Sequence, residues 1–162
     1  MFEGWEENDR VRVLSSVAGL LFGLGWWCFI DAASVARSEG YAISVSGEQY
    51  LPGIACTLGF FMINCIDWGT LSADDFSYHN AGSAKCKARA FVVLAVLLEL
   101  SGIVGAIVII VETYSPQLKA DAESACNDKG ETCSLWPGIA VLIQAVVIFV
   151  STFIMRMGTL SR

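Results

Sequence analysis

Residue types that build common active sites are scarce in this sequence. His79 is the only histidine, so a histidine-based metal site or a catalytic triad has little to work with. A glycine-rich loop of the phosphate-binding kind is also missing. We therefore expect a protein that is not an enzyme and that uses no cofactor or metal ion.

Charged residues are also few. They form 16% of the chain, against about 25% in ordinary soluble domains, while 55% of the residues are hydrophobic. The net charge of −6 argues against nucleic acid as a partner. Alternation of period two is absent, which argues against a transmembrane barrel.

The few charges leave long apolar stretches between them. Residues 13–30, 49–66 and 132–155 contain no charged side chain, and residues 90–111 contain only Glu99. Each stretch is about long enough to cross a hydrocarbon core of about 30 Å as a helix. The sequence therefore predicts an all-α membrane protein, with four transmembrane helices in two hairpins. This single domain covers residues 1–162, with helices at about 13–31, 50–67, 90–112 and 134–156.

The first apolar stretch also has the general layout of a cleaved signal peptide, because arginines precede it and small residues follow it. However, its 18 residues are long for the apolar part of such a peptide. Asp31 is also poorly placed for a cleavage site. We expect a retained helix.

The basic residues predict an orientation. Seven of the ten fall on one side of the predicted helices, and an excess of Lys and Arg marks the cytoplasmic side. Both termini should therefore be cytosolic. The seven are Arg10, Arg12, Lys85, Lys87, Arg89, Arg156 and Arg162, and the other three are Arg37, Lys119 and Lys129.

Two cysteines test this orientation. Cys126 and Cys133 lie in the loop after the third helix, on the predicted lumenal or extracellular side, where disulfides persist. We predict that they are bridged, the alternative being two free thiols. Cys86, at the cytosolic border, is interpreted as an unmodified thiol rather than a palmitoylation site.

A short repeat opens the second and fourth helices. Residues 51–55 read LPGIA and residues 136–140 read WPGIA. Proline in a first helical turn sacrifices no hydrogen bond, and glycine lets a neighbouring helix approach closely. A Gly-x-x-x-Gly motif in the first helix favours close packing too. The predicted packing residues are Gly19, Gly23, Pro52, Gly53, Pro137 and Gly138.

Four polar side chains fall inside the predicted helices: Asp31, Asn64, Glu99 and Gln144. Glu99 lies about 14 Å from the cytosolic face by helical rise, and Gln144 is close to the same depth, so these two are predicted to meet. A charged carboxylate in the bilayer centre costs about 2.5–3.5 kcal/mol. Glu99 should therefore be protonated, paired or turned toward protein, in a structural role rather than a proton- or ligand-linked one.

Several segments resemble a known family. They read FIDAA at residues 29–33, PGI at 52–54, FMIN at 61–64, KARAF at 87–91 and WPGIA at 136–140, followed by Gln144. In this order they are similar to the small four-helix family of transmembrane protein 50 and the fungal vacuolar protein sorting-associated protein 68. The connector before the third helix and the cysteine-bearing loop depart from that pattern.

The resemblance implies a non-enzymatic protein of endosomal, Golgi or ER membranes. The fungal member acts in late-endosome-to-vacuole traffic with a second small four-helix protein, a relative of the leptin receptor overlapping transcript protein. By this resemblance we expect a scaffold or adaptor for protein sorting, in endomembranes rather than the mitochondrial inner membrane. Its partners would be lipids and other integral membrane proteins.

Two other functions stay open. The chain could be an accessory transmembrane subunit of a large organellar complex, such as a respiratory one. Alternatively, it could be a small proton-linked transporter that uses Glu99, which would need oligomers because four helices rarely enclose a pathway.

Overall fold

The computed structural model describes residues 3–43, 45–65, 81–115 and 133–160. Within these ranges the chain is helical and forms no strand. A short 3₁₀-helix, Gly47–Tyr50, precedes the second helix, and a π-helical turn, Ile110–Tyr114, extends the third. The α-helices are α1 (Glu3–Ser38), α2 (Leu51–Asn64), α3 (Ala81–Ile109) and α4 (Trp136–Leu160).

Among the residues that the structure describes, three helices are long and apolar enough to cross a membrane, at Asp9–Ser38, Cys86–Tyr114 and Trp136–Met157. The class of helical membrane protein is therefore supported. Helix α2 has 14 residues, which span about 21 Å, and the residues that follow it lie outside the described part of the chain. A fourth span stays a prediction.

Helix α1 is much longer than the predicted 13–31, because charged residues end a membrane span without ending a helix. Its end is set by backbone chemistry. Gly40 adopts a positive φ of 62°, and the Tyr41 N–H donates to the Ala36 carbonyl at 3.0 Å. This is the glycine-terminated helix end that satisfies otherwise unpaired carbonyls.

The bundle buries many small and polar residues together with a few large apolar ones such as Phe29 and Ile148, and it exposes many other large apolar residues. On α1, Val11, Ala18, Gly25 and Ala32 are buried at intervals of seven residues, the spacing of a helix-packing face. By contrast, Trp27 is 70% exposed. Without a hydrophobic driving force in lipid, helices associate through small residues and interhelical hydrogen bonds, and this distribution is what a lipid-facing bundle requires.

The main helix pairs are α1 with α4 and α2 with α3, and α4 also contacts α2 and α3. The most extensive contacts thus join helices from different predicted hairpins, while the two hairpins themselves stay a prediction. The physical reason is close backbone approach. A Cβ on Gly102 of α3 would lie 2.7 Å from the Pro52 carbonyl of α2, so these helices meet where a side chain is missing.

Aromatic rings connect α1 with α2 and with the 3₁₀-helix that precedes it. Phe22 stacks on Phe60 with ring centroids 5.0 Å apart, and Phe29 meets Tyr50 edge-on at 4.8 Å. The indole of Trp26 donates to the Thr57 hydroxyl at 3.1 Å. Together with the α1–α4 and α2–α3 pairs, these contacts close the bundle around its buried polar groups.

Candidate functional site

Four buried polar side chains lie in the middle of the bundle and are here called the middle cluster: Glu99 on α3 and Gln144, Ser151 and Thr152 on α4. Glu99, Gln144 and Ser151 have no exposed surface. Burying polar groups at membrane depth is costly unless they are hydrogen-bonded. The partners of each group therefore decide whether it serves structure alone.

The Glu99 carboxyl group is turned into the protein and hydrogen-bonds it, as predicted. Its Oε1 accepts a hydrogen bond of 2.6 Å from the Thr152 hydroxyl. That hydroxyl lies 3.1 Å from the Ile148 carbonyl as well, so its single hydrogen is shared between two acceptors. The other carboxyl oxygen, Oε2, is buried and has no hydrogen-bond partner.

Helix α2 provides the space for this carboxyl group. The Glu99 side chain packs where Gly59 has no Cβ, so α3 can place a long polar residue against α2. One turn away, the Cys56 thiol donates to the Glu99 backbone carbonyl at 3.4 Å. A glycine and a cysteine on α2 thus fix both the side chain and the backbone of Glu99.

The predicted hydrogen bond between Glu99 and Gln144 is not formed. Both polar atoms of the Gln144 side chain, Oε1 and Nε2, are buried without a hydrogen-bond partner. The amide instead covers Gly53, where a Cβ would lie 2.5 Å from Nε2. Thr152, two turns further along α4, takes the place beside Glu99.

Ser151 connects the middle cluster to α1. Its hydroxyl donates to the Ala18 carbonyl at 2.7 Å. This bond, together with the approach of Gly25 to the Gln144 carbonyl, holds α1 against α4. The Ser151 hydroxyl is therefore hydrogen-bonded within the fold, whereas the Gln144 amide is not.

A second buried polar pair, here called the end cluster, joins Tyr114 and Gln49 at one end of the bundle. The Tyr114 hydroxyl donates to Gln49 Oε1 at 2.7 Å, and both residues are buried. The Tyr114 ring lies against Gly138, where a Cβ would be 2.7 Å from the ring. The π-helical turn at the end of α3 thus places a tyrosine on the start of α4.

A cavity of about 160 Å³ borders the middle cluster. Glu99 and Thr152 line it, and Arg156 lies one helical turn beyond Thr152. Its other walls are apolar side chains, namely Ile63, Val92, Val96 and Phe153. Phe153 is 52% exposed, so the cavity reaches the outer surface of the bundle.

The other two predicted polar residues do not join this site. Asp31 is exposed on α1. Asn64 is exposed near the end of α2 and donates to the Phe60 carbonyl of its own helix at 2.8 Å. Among the described residues, no group of three or more His, Cys, Asp or Glu is placed to hold a metal ion.

The packing residues divide into two sets. Gly53 and Gly138 lie at close contacts, and Pro52 and Pro137 are buried beside them. Gly19 and Gly23 are exposed, and a Cβ on either would meet nothing within 4 Å. Within this chain, the prediction that they pack helices is wrong, since the buried face of α1 runs through Gly25.

Cysteine positions are only partly described. Cys56 is buried and Cys86 is exposed, and neither is in a disulfide. Cys126 lies outside the described residues, so its bridge to Cys133 stays a prediction.

Sequence reasoning missed Thr152, Gly59 and the end cluster. The sequence does carry a signal for Gly59. Gly53, Cys56 and Gly59 recur at intervals of three and form one narrow face of α2. No signal distinguishes Thr152 from other hydroxyl residues of α4. Likewise, nothing local in the sequence relates Gln49 to Tyr114, 65 positions away.

Comparison with known proteins gives a consistent set of relatives. The uncharacterised protein family UPF0220 matches residues 3–161. The transmembrane protein 50 homolog of Dictyostelium discoideum is 28% identical over 150 residues, which cover 90% of this chain and 88% of that one.

Two fungal proteins match over shorter stretches. A UPF0220 protein of Schizosaccharomyces pombe is 29% identical over 99 residues, 60% of this chain and 57% of that one. Vacuolar protein sorting-associated protein 68 of Saccharomyces cerevisiae is 27% identical over 106 residues, 59% and 58% of the two chains. No solved structure matches. The resemblance noted in the sequence is confirmed.

Proposed function

Because this chain belongs to the UPF0220 family, we propose that it is a multi-pass endomembrane protein that acts in protein sorting as a non-enzymatic scaffold or adaptor. The observation that carries the proposal is the match to a yeast relative named for vacuolar protein sorting. In this proposal all four helices span the membrane, and the chain binds other integral membrane proteins through its helix faces.

The surface of the bundle supports this role. The outward faces of α1 and α3 carry large apolar side chains such as Leu20, Trp27 and Leu97, each more than half exposed. Such faces suit lipid or another transmembrane helix, and small exposed residues such as Gly23 allow a helix to approach closely.

A rescue experiment tests the proposal. The chain is expressed in Saccharomyces cerevisiae lacking its vacuolar protein sorting relative, and secretion of a vacuolar hydrolase into the medium is measured. We expect secretion to fall toward the level of the unmodified strain, and one integral membrane protein to co-purify in stoichiometric amount in mild detergent. Normal expression and membrane insertion without rescue, and without such a partner, would contradict the proposal.

The same purification separates the adaptor from the accessory subunit of a large organellar complex. Recovery of many subunits of one such assembly, in place of one small partner, would favour the accessory role.

Orientation belongs to the same proposal. Both termini should be cytosolic, because seven of the ten basic residues lie on that predicted side. In sealed vesicles with the cytosolic face outward, protease should remove tags from both ends. Protection of a C-terminal tag would overturn the orientation.

Proton-linked transport is a second candidate, favoured by the cavity that Glu99 lines. In that case Glu99→Gln should abolish acidification of proteoliposomes, followed with a lumenal pH dye, while the assembly stays intact. Equal proton flux in the wild type and in protein-free liposomes would exclude it.

A further inference from the structure

The cavity between α2, α3 and α4 is lined by a residue that has an unpaired polar atom. Glu99 lines the cavity, has no exposed surface, and its Oε2 lacks any hydrogen-bond partner. A buried acceptor left unpaired costs free energy, more so at membrane depth. A donor from outside the chain would remove that cost.

The walls of the cavity restrict what the donor can be. Val92, Val96 and Phe153 present apolar surface, so a hydrated inorganic ion would find few oxygen ligands there. At about 160 Å³, the space holds a small head group and no more. Because it reaches the outer surface of the bundle beside the exposed Phe153, a molecule attached to a lipid chain can enter from the side.

The acidic and the basic residue that line the cavity lie at different depths in the bundle. Glu99 marks one level, and Arg156 lies one turn beyond Thr152, about 6 Å nearer the predicted cytosolic face. An acid and a base at these two levels match a molecule with an amine at one end and a phosphate next to it. The guanidinium group has five donors, so it can contact a phosphate besides any other partner.

We propose that this cavity binds the head group of an aminophospholipid from the predicted cytosolic leaflet, with its ammonium group on Glu99. The carboxyl group turns toward the cavity, so that the N–H groups donate to Oε2 and the ion pair balances the carboxylate. The phosphate lies near Arg156. The acyl chains run along the outer faces of α3 and α4. This inference is independent of the sorting role and takes only the orientation of the chain from the proposed function.

Native mass spectrometry tests the proposal with two lipids that differ only in the amine. The purified full chain in mild detergent is mixed with dioleoyl phosphatidylethanolamine or dioleoyl phosphatidylcholine, whose quaternary amine has no N–H to donate. We expect retention of phosphatidylethanolamine to be about tenfold greater, the ratio that a charge-assisted hydrogen bond of about 1.5 kcal/mol gives.

Two variants and their controls assign the effect to the cavity. Glu99→Gln should lose the preference, while Glu112→Gln, an exposed acid beyond the end of α3, should keep it. Val96→Phe fills the cavity without changing Glu99 and should lose the preference as well, unlike Val93→Phe on the exposed face.

Two results would overturn the lipid-binding proposal. Equal retention of the two lipids by the wild type would overturn the proposal and leave the cavity to a side chain of a transmembrane partner. Preference that survives Glu99→Gln would also overturn it. If Glu99→Gln does not fold, the pair Val96→Phe and Val93→Phe decides the matter by itself.

Discussion

At one end of the bundle a tyrosine and a glutamine satisfy each other, whereas in the middle an acid and a glutamine keep unpaired atoms. Tyr114 donates to Gln49 at 2.7 Å. Glu99 uses one oxygen on Thr152 and leaves Oε2 without a partner, and the Gln144 amide has no partner at all.

Both clusters are buried, so burial alone does not explain the difference. A buried pair that is fully hydrogen-bonded stabilises one arrangement, while unpaired buried groups destabilise it. The end cluster therefore behaves as a structural connection between the 3₁₀-helix and the end of α3. The middle cluster retains polar capacity that the isolated chain does not use, which is what a binding site requires.

The largest expected loss of stability comes from substituting Gly59, against which the Glu99 side chain packs. A Cβ at Gly59 would lie 2.8 Å from the Ala95 carbonyl. A backbone carbonyl within a helix cannot rotate away as a side chain can. Gly59→Leu should therefore destabilise the bundle by about 3 kcal/mol, the upper end of overpacking costs. Thermal unfolding in detergent measures this.

The matched control is Gly23→Leu, because a Cβ there meets nothing within 4 Å. It should unfold at the temperature of the wild type. If the two glycine variants lost stability equally, the buried and exposed faces of the helices would be wrongly assigned.

The next largest expected loss of stability is at the end cluster. Tyr114→Phe removes the donor and leaves Gln49 Oε1 buried without its partner, which should cost about 1–2 kcal/mol. Tyr50→Phe is the control, since Tyr50 is 38% exposed, and it should change the unfolding temperature little. No loss from Tyr114→Phe would mean that this connection does not stabilise the bundle.

Two substitutions of Glu99 separate hydrogen bonding from charge. Glu99→Leu removes the acceptor for Thr152 and should cost about 0.6–1.7 kcal/mol, as for other hydrogen bonds between membrane helices. Glu99→Gln should be tolerated, because its amide can still bond Thr152. Thermal unfolding compares the two, and equal losses would show that the carboxylate itself is needed for the fold.

Part of this arrangement could be predicted from the sequence. The uncharged stretches indicate the membrane class, and on α3 the small residues Ala95, Gly102 and Ala106 share a face with Glu99, so its burial follows from helical spacing. The depth argument placed Gln144 near Glu99 but fixed neither rotation nor crossing of α4. Those depend on tertiary contacts, and they select Thr152 instead.

The smallest expected change in stability gives the most direct test. Gln144→Met is compared with Tyr114→Phe by thermal unfolding in one detergent. Methionine keeps the volume and flexibility of the glutamine side chain and removes its two unpaired polar atoms. We expect Gln144→Met to unfold at the wild-type temperature or slightly above it, while Tyr114→Phe unfolds below it. Equal losses in the two variants would contradict the claim that the unpaired polar atoms of the middle cluster are not required for the stability of the chain.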